Sequence, residues 1–207
     1  MPTLAGLVLA AGASSRMGTD KALLPWPPSV QDGSTLLSSA IRALKPLASV
    51  VVVVAGKNAD QLAPVAAACG AVMVCNPAPE LGQFSSLQIG LREVLARGCD
   101  AAMITPVDCP PLSAASLQLL HSEFENALAR GQWAVAPENN GRRGHPLFVN
   151  QELIEAFLSA PLTSNAREVR RVHARYLTSI PVPDLFLASD MNTPEEYEAA
   201  SARAREP

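Results

Sequence analysis

Short apolar runs rich in valine, leucine and isoleucine alternate along the chain with longer stretches whose apolar residues recur at helical spacing. That alternation marks βαβ units around a mainly parallel sheet with helices on both faces. Thr3 to Leu9, Val50 to Val54, Ala71 to Cys75 and Ala101 to Thr105 read as strands buried on both sides. Thr35 to Leu44, Ala59 to Cys69 and Ser85 to Ala96 have the length and spacing of crossover helices between them, and Ser113 to Leu128 follows the fourth strand. Such connections between parallel strands are right-handed.

The second half is less regular. Trp133 to Ala136 and Leu147 to Val149 read as strands flanking a polar loop from Glu138 to His145. Helices follow at Gln151 to Leu158 and Asn165 to Ala174, then a strand near Tyr176 to Pro181. Thr193-Pro194-Glu195-Glu196 announces a last helix: a hydroxyl to cap it, a proline at its first position and a glutamate three residues after the cap. The prolines at Pro25 to Pro28 and Pro181 to Pro183 mark loops, and no internal repeat is present. A chain of 207 residues can bury one sizeable core. The expectation is a single α/β domain over residues 1–207, a Rossmann-like three-layer sandwich.

Composition narrows what such a domain binds. Charged residues are 17% of the chain and the formal charge is −3, so nucleic acid and anionic membrane are poor partners. The longest apolar run, Val50 to Ala55, is far too short to cross a bilayer. The N-terminus enters a strand-like segment without the basic region of a signal peptide, which points to the cytoplasm. Cys69, Cys75, Cys99 and Cys109 are irregularly spaced with no C-x-x-C pair; they read as reduced core thiols, not as a zinc or disulfide framework.

The most informative segment runs from Leu9-Ala10-Ala11-Gly12 through Arg16-Met17-Gly18 to Asp20 and Lys21. It joins the first strand to a glycine-containing loop, and ligands of open α/β sheets collect at the carboxyl ends of strands. Gly12 and Gly18 permit successive N–H groups to face one anion, while Arg16 and Lys21 add full charges. The expected ligand is a polyphosphate. Five residues separate Gly12 from Gly18, which excludes a Walker A loop, and the dinucleotide G-x-G-x-x-G is absent.

The segment L-A-A-G-A-S-S-R-M-G-x-x-K-x-L-L-P resembles the opening motif of the MobA-like nucleotidyltransferases. The resemblance continues through G-Q-F-S-S at Gly82 to Ser86, T-P-V-D-C-P-P at Thr105 to Pro111, G-R-R-G-H-P at Gly141 to Pro146 and S-D-M-N-T-P-E-E-Y at Ser189 to Tyr197. The later motifs look most like the molybdenum cofactor cytidylyltransferase branch. The resemblance implies the nucleotide-diphospho-sugar transferase fold and transfer of a nucleoside monophosphate to a phosphorylated acceptor. It implies nucleotide contacts at Leu9, Ala10, Ala11, Gly12, Gly82, Ser85 and Ser86, with Arg16, Lys21 and Asp108 as the catalytic set. Asp108 follows an apolar strand and precedes two prolines, which puts its carboxylate at the same sheet edge as the opening loop. Magnesium is the implied cofactor, held by Asp108 with Asp190 or Asn192; the related pattern D-x-D-T-P has an acid where this chain has Asn192. Arg142, His145, Asn165 and Arg167 are the implied acceptor contacts. Taken alone, Asp108, Asp190 and Asn192 are also ordinary turn residues, Ser85 an ordinary helix cap and Arg142 to His145 a solvated loop.

By the same resemblance, the terminal phosphate of molybdopterin attacks the α-phosphorus of a nucleoside triphosphate and pyrophosphate leaves. A phosphate monoester has its second pKa near ~6 and needs no strong general base. Guanylyltransferases of the family read L-A-G-G, and the extra methyl of Ala11 favours cytosine, hence CTP over GTP. A guanylyltransferase, a transferase for a sugar phosphate, and a non-catalytic binder delivering cofactor to a molybdoenzyme or its chaperone remain the alternatives.

Overall fold

The computed structural model describes residues 2–12, 19–28, 32–184, 186–187 and 189–205. Its centre is one eight-stranded sheet. The first four strands are β1 (Leu4–Leu9), β2 (Val50–Ala55), β3 (Val72–Cys75) and β4 (Ala101–Pro106); β5 (Ala134–Asn139), β6 (Arg142–Arg143), β7 (Leu147–Asn150) and β8 (Leu177–Pro181) follow. The spatial order is β3-β2-β1-β4-β7-β5-β6, with β8 also beside β5. The first four run parallel, β7 is antiparallel to both β4 and β5, and β8 returns parallel to β5.

Helices α1 (Leu36–Leu44), α2 (Ala59–Ala68), α3 (Gln83–Ala96), α4 (Ala114–Ala129), α5 (Gln151–Ser159), α6 (Ala166–Val172) and α7 (Pro194–Arg203) cover the two faces. Leu37, Ile41, Leu120 and Phe124 from α1 and α4 pack on one face with Val8, Val53 and Met103. Leu87, Leu91, Ile154 and Phe157 from α3 and α5 pack on the other with Leu7, Val54 and Ile104. With helices on both sides, all residues of β1 are buried. α3 approaches the sheet closely at Gly90, where a Cβ would lie 2.5 Å from Leu7 Cδ1 and 2.8 Å from Val54 Cγ2. The C-terminal carbonyls of α5 are met by the buried Gln88, whose Nε2 donates to Phe157 O and Ala160 O, each at 2.8 Å.

The structure bears out the α/β class and the final helix, where Thr193 forms the capping box with Glu196 and Pro194 opens the first turn. It corrects three expectations. β3 is an edge strand and only half-buried, because α2 and α3 shelter it without a further strand beyond it. The polar segment after Ala136 is not a loop: β5 continues to Asn139 and turns through Asn140 (φ 51°) and Gly141 (φ 77°) into β6. Two successive positive φ values are what a tight two-residue hairpin requires, and Asn-Gly supplies them with little strain. Finally, Cys99 and Cys109 are buried but Cys75 is exposed; all four cysteines are free thiols. Among the described residues no helix is long and apolar enough to cross a membrane.

Gly90→Ala gains helix propensity, up to about 1 kcal/mol, but forces a methyl against two fully buried side chains. The expected net result, read from urea unfolding, is a loss of about 1–2 kcal/mol of stability.

Candidate active site

β1 and β4 end together. Leu9 lies beside Pro106 on one side and Val54 on the other, and backbone bonds continue past the strands from Ala10 N to Val54 O (2.8 Å) and from Val107 N to Leu9 O (3.0 Å). The order β2-β1-β4 makes this the point where successive connections diverge, the usual crevice of such sheets. Asn58, just before α2, holds the crevice in shape. Its Nδ2 donates to Ala10 O (2.9 Å) and to Asp20 Oδ2 (2.6 Å), and its Oδ1 accepts from Gly56 N (2.9 Å). Gly56 must lack a side chain here: a Cβ would lie 2.9 Å from the Ala11 carbonyl oxygen.

Asp20 caps a 3-10 turn, Lys21–Leu23, by accepting from Ala22 N. That turn aims Lys21 across the crevice, where its Nζ donates to Asp108 Oδ2 (2.8 Å) and Asn192 Oδ1 (3.0 Å). The C-terminal segment is tied to the same point by Met191 N donating to Asp108 O (2.9 Å). Next to Asp108, the buried Cys109 thiol donates to Asp190 Oδ1 at 3.3 Å. Burial, followed by the charges of Asp108 and Asp190, pushes the Cys109 pKa well up, so it remains a thiol.

A cavity of about 260 Å³ opens over this edge. It is lined by Leu9, Ala10, Ala11 and Gly12 from the end of β1, by Lys21 and Asp108, and by Gly82 and Ser86 at the start of α3, with Pro79 and Gln83. Gly82 takes φ 93° and begins α3 with no side-chain cap, leaving the positive end of a 14-residue helix beside the cavity. Ser85, expected to share the nucleotide contacts, is not among the residues lining the cavity. Its buried hydroxyl donates to Gly82 O and is bonded by Asn76 Nδ2, which also reaches Ser86 Oγ. Asn76 and Asn58, neither singled out from sequence, are thus the polar scaffold of the site.

A second cavity, about 330 Å³, adjoins the first and shares Leu9, Gly82, Gln83 and Pro106 with it. Phe84, Leu87, Leu147 and Phe157 give it an apolar floor; His145, Asn165 and Arg170 give it a polar wall. Two of the expected acceptor residues, His145 and Asn165, are therefore brought together. Asn165 also caps α6, accepting from Glu168 N at 2.9 Å. The other two are placed differently: Arg142 is exposed on the β5–β6 hairpin and Arg167 is exposed on α6, and neither is among the residues lining these cavities. Arg170, one turn further along α6, faces the cavity instead. Burial lowers its pKa, with Arg143 and Arg167 adding like-charge repulsion, although a guanidinium starts high enough to stay charged.

His145 is not in a mobile loop either. Its Nδ1 is 3.2 Å from Ile104 O. A carbonyl only accepts, so Nδ1 carries the hydrogen. Burial lowers the pKa of this ring from its ordinary 6.5, against the opposing pull of that hydrogen bond. Arg16 lies outside the described residues. Among the described residues no group of three or more His, Cys, Asp or Glu side chains is placed to hold a metal ion. The oxygens of Asp108 and Asn192 nevertheless suit a hard cation, as the ammonium between them demonstrates. A divalent ion here would draw its remaining ligands from water and substrate.

Residues 6–179 match the family described as the MobA-like NTP transferase domain. The chain belongs to that family. The MobA-like match takes in the opening loop, Asp108 and the acceptor-side wall up to β8. Over 201 residues the chain is 26% identical to the molybdenum cofactor cytidylyltransferase of Escherichia coli (strain K12), covering 97% of this chain and 96% of that protein. Over 147 residues it is 32% identical to a probable molybdenum cofactor guanylyltransferase of Rhodopirellula baltica, covering 70% and 66%. Its fold is similar to that of Rv0371c from Mycobacterium tuberculosis H37Rv, with a TM-score of 0.75 at 20% identity and coverage of 96% and 98%. A structure of Rv0371c in complex with manganese is similar as well, at a TM-score of 0.73 and 19% identity, covering 97% of this chain and 98% of that one.

The lowered pKa of His145 makes stability depend on pH in a defined direction. As pH falls below about 6.5 the unfolded chain takes up the proton before the folded one, so the folded state loses stability until its own lower pKa is reached. The limit is about 1.4 kcal/mol per pH unit for one group. His145→Asn keeps a hydrogen-bond donor without the titration. Its urea midpoint is expected to fall less than the wild-type midpoint between pH 7 and pH 5; equal slopes would contradict a buried neutral imidazole.

Proposed function

We propose that this protein transfers CMP from CTP to the terminal phosphate of molybdopterin and releases pyrophosphate. The observation that carries the reading is the pair of adjoining cavities, with the Lys21, Asp108 and Asn192 cluster at the end of the first and Arg170 on the wall of the second. The cytidylyltransferase name of the full-length Escherichia coli relative supports the acceptor and the nucleotide. In this reading the whole chain acts as one catalytic domain in the cytoplasm, and a molybdoenzyme or its chaperone receives the product.

The triphosphate lies against Ala10 to Gly12 and the open end of α3, with Lys21 and Arg16 meeting its charge. Asp108 and Asn192, with Asp190 close by, hold magnesium, which when bound neutralises phosphoryl oxygens; the manganese complex of Rv0371c is in keeping with a divalent ion. Arg170 and Asn165 receive the acceptor, whose phosphate needs no base to become a nucleophile. A Cys109 held as the thiol agrees with that, and burial makes His145 a weaker base than an ordinary imidazole. The apolar floor under Arg170 suits a ring-bearing acceptor better than a small polyol phosphate. Ala11 lines the first cavity, and its methyl, where guanylyltransferases of the family have glycine, leaves less room beside the base and favours cytosine. A guanylyltransferase is the second reading, favoured by the Rhodopirellula baltica relative.

The test is magnesium-dependent pyrophosphate release with molybdopterin, comparing CTP, GTP and ATP. CTP is expected to be used, and Asp108→Ala to lower kcat by at least ~100-fold. Release with GTP instead would keep the chemistry and overturn the Ala11 argument. A nucleotide-dependent rise in melting temperature with no release from any of the three would mark a binding protein. Arg170→Ala is expected to raise KM for the acceptor about tenfold, a charged hydrogen bond's worth, and to leave KM for the nucleotide nearly unchanged.

A further inference from the structure

Lys21 Nζ sits 2.8 Å from Asp108 Oδ2 and 3.0 Å from Asn192 Oδ1. These are the two oxygens that suit a divalent ion. Magnesium would need the same two oxygens at about 2.0–2.1 Å. A metal bound to both oxygens would stand against Nζ, bringing two cations together where the side chains of Lys21 and Asp108 are only 13% and 23% exposed. Water and salt screen such a contact poorly. The ammonium and the metal therefore exclude each other.

Charge explains which of them holds the site at rest. Lys21 pairs directly with Asp108, Asp190 beside Cys109 adds a second negative charge nearby, and Asn192 contributes an oxygen without adding a third. A divalent ion replacing the ammonium would leave this pair of donors with a surplus positive charge unless an anion came with it. A triphosphate is such an anion and attracts both cations. The backbone need not move for the exchange, since the turn bearing Lys21 is capped by Asp20, which Asn58 anchors at 2.6 Å. The flexible lysine stem can swing on that fixed turn.

We propose that Lys21 is a resident stand-in for the metal, closing the Asp108 and Asn192 site to divalent cations until the phosphates of a nucleoside triphosphate draw the ammonium away. The inference deepens the nucleotidyl-transfer reading by fixing the order in which its ligands enter: triphosphate with or before metal, never metal alone. It also gives Asn192 a purpose. An acid at that position would add to the charges of Asp108 and Asp190 and strengthen the pull of the free protein on a divalent ion.

The experiment is a titration of the full chain with Mn²⁺ in the absence of nucleotide, following the paramagnetic resonance signal of the free ion. Lys21→Met is expected to bind Mn²⁺ at least tenfold more tightly than wild type, and the gain is expected to vanish in Lys21→Met/Asp108→Asn. Lys21→Gln repeats the comparison with a polar replacement should methionine disturb folding, which a circular dichroism melt reveals. Equal Mn²⁺ affinity in wild type and both single variants overturns the proposal. So does a gain that survives Asp108→Asn, since the ion would then be bound elsewhere. Neither acceptor nor turnover enters this measurement, so inactivity with CTP and molybdopterin would count against the proposed function and leave the metal result standing.

Discussion

Parallel pairing of β1 with both β2 and β4 governs what happens at the ligand end of the molecule. Because β1 is buried along its whole length and ends level with its neighbours, the chain can leave the sheet only into one shared crevice. The backbone bonds from Ala10 to Val54 and from Val107 to Leu9 carry that alignment one residue beyond the strands. Asp108 consequently shares one cavity with Ala10 to Gly12 at the end of β1 and with Lys21 beyond them. The lysine, the asparagines and the C-terminal segment are then arranged on a frame that hydrophobic burial has already fixed.

The parts of this arrangement legible in the sequence are those written locally. A strand followed by glycines and cations, a threonine-proline-glutamate cap and apolar runs at helical spacing each carry their meaning within a dozen residues. The asparagine scaffold is of another kind. Asn58 bonds Ala10 across 48 positions, and in the sequence it is indistinguishable from any asparagine in a turn. Ser85 misled for a related reason: serine before an apolar helix is a common cap, but Gly82 at φ 93° starts α3 earlier and leaves Ser85 inside the first turn, where Asn76 takes its hydroxyl. On α6 the resemblance points to Arg167, but which arginine faces inward depends on how the helix rolls against its neighbours. Val169 is the buried anchor that sets this roll, so the adjacent Arg170 points into the cavity while Arg167 stays in solvent.

Burial acts on the titratable groups of the site selectively. It holds Cys109 protonated, which removes the thiolate nucleophile that a cysteine beside two aspartates would otherwise suggest, and it makes His145 a weaker base. The ion pair of Lys21 with Asp108 lies in one cavity and Arg170 in the other. Such a site works by position and fixed charge, and phosphoryl chemistry asks for little else.

The shared wall of Leu9, Gly82, Gln83 and Pro106 has a kinetic consequence. A molecule made by joining the occupants of the two cavities across that wall is gripped at both ends, and either end, once loosened, recaptures from an effective concentration far above that in bulk solution. Release then requires both grips to fail together. Slow departure of this kind makes the simultaneous loosening of both ends, more than diffusion into solution, the limiting event.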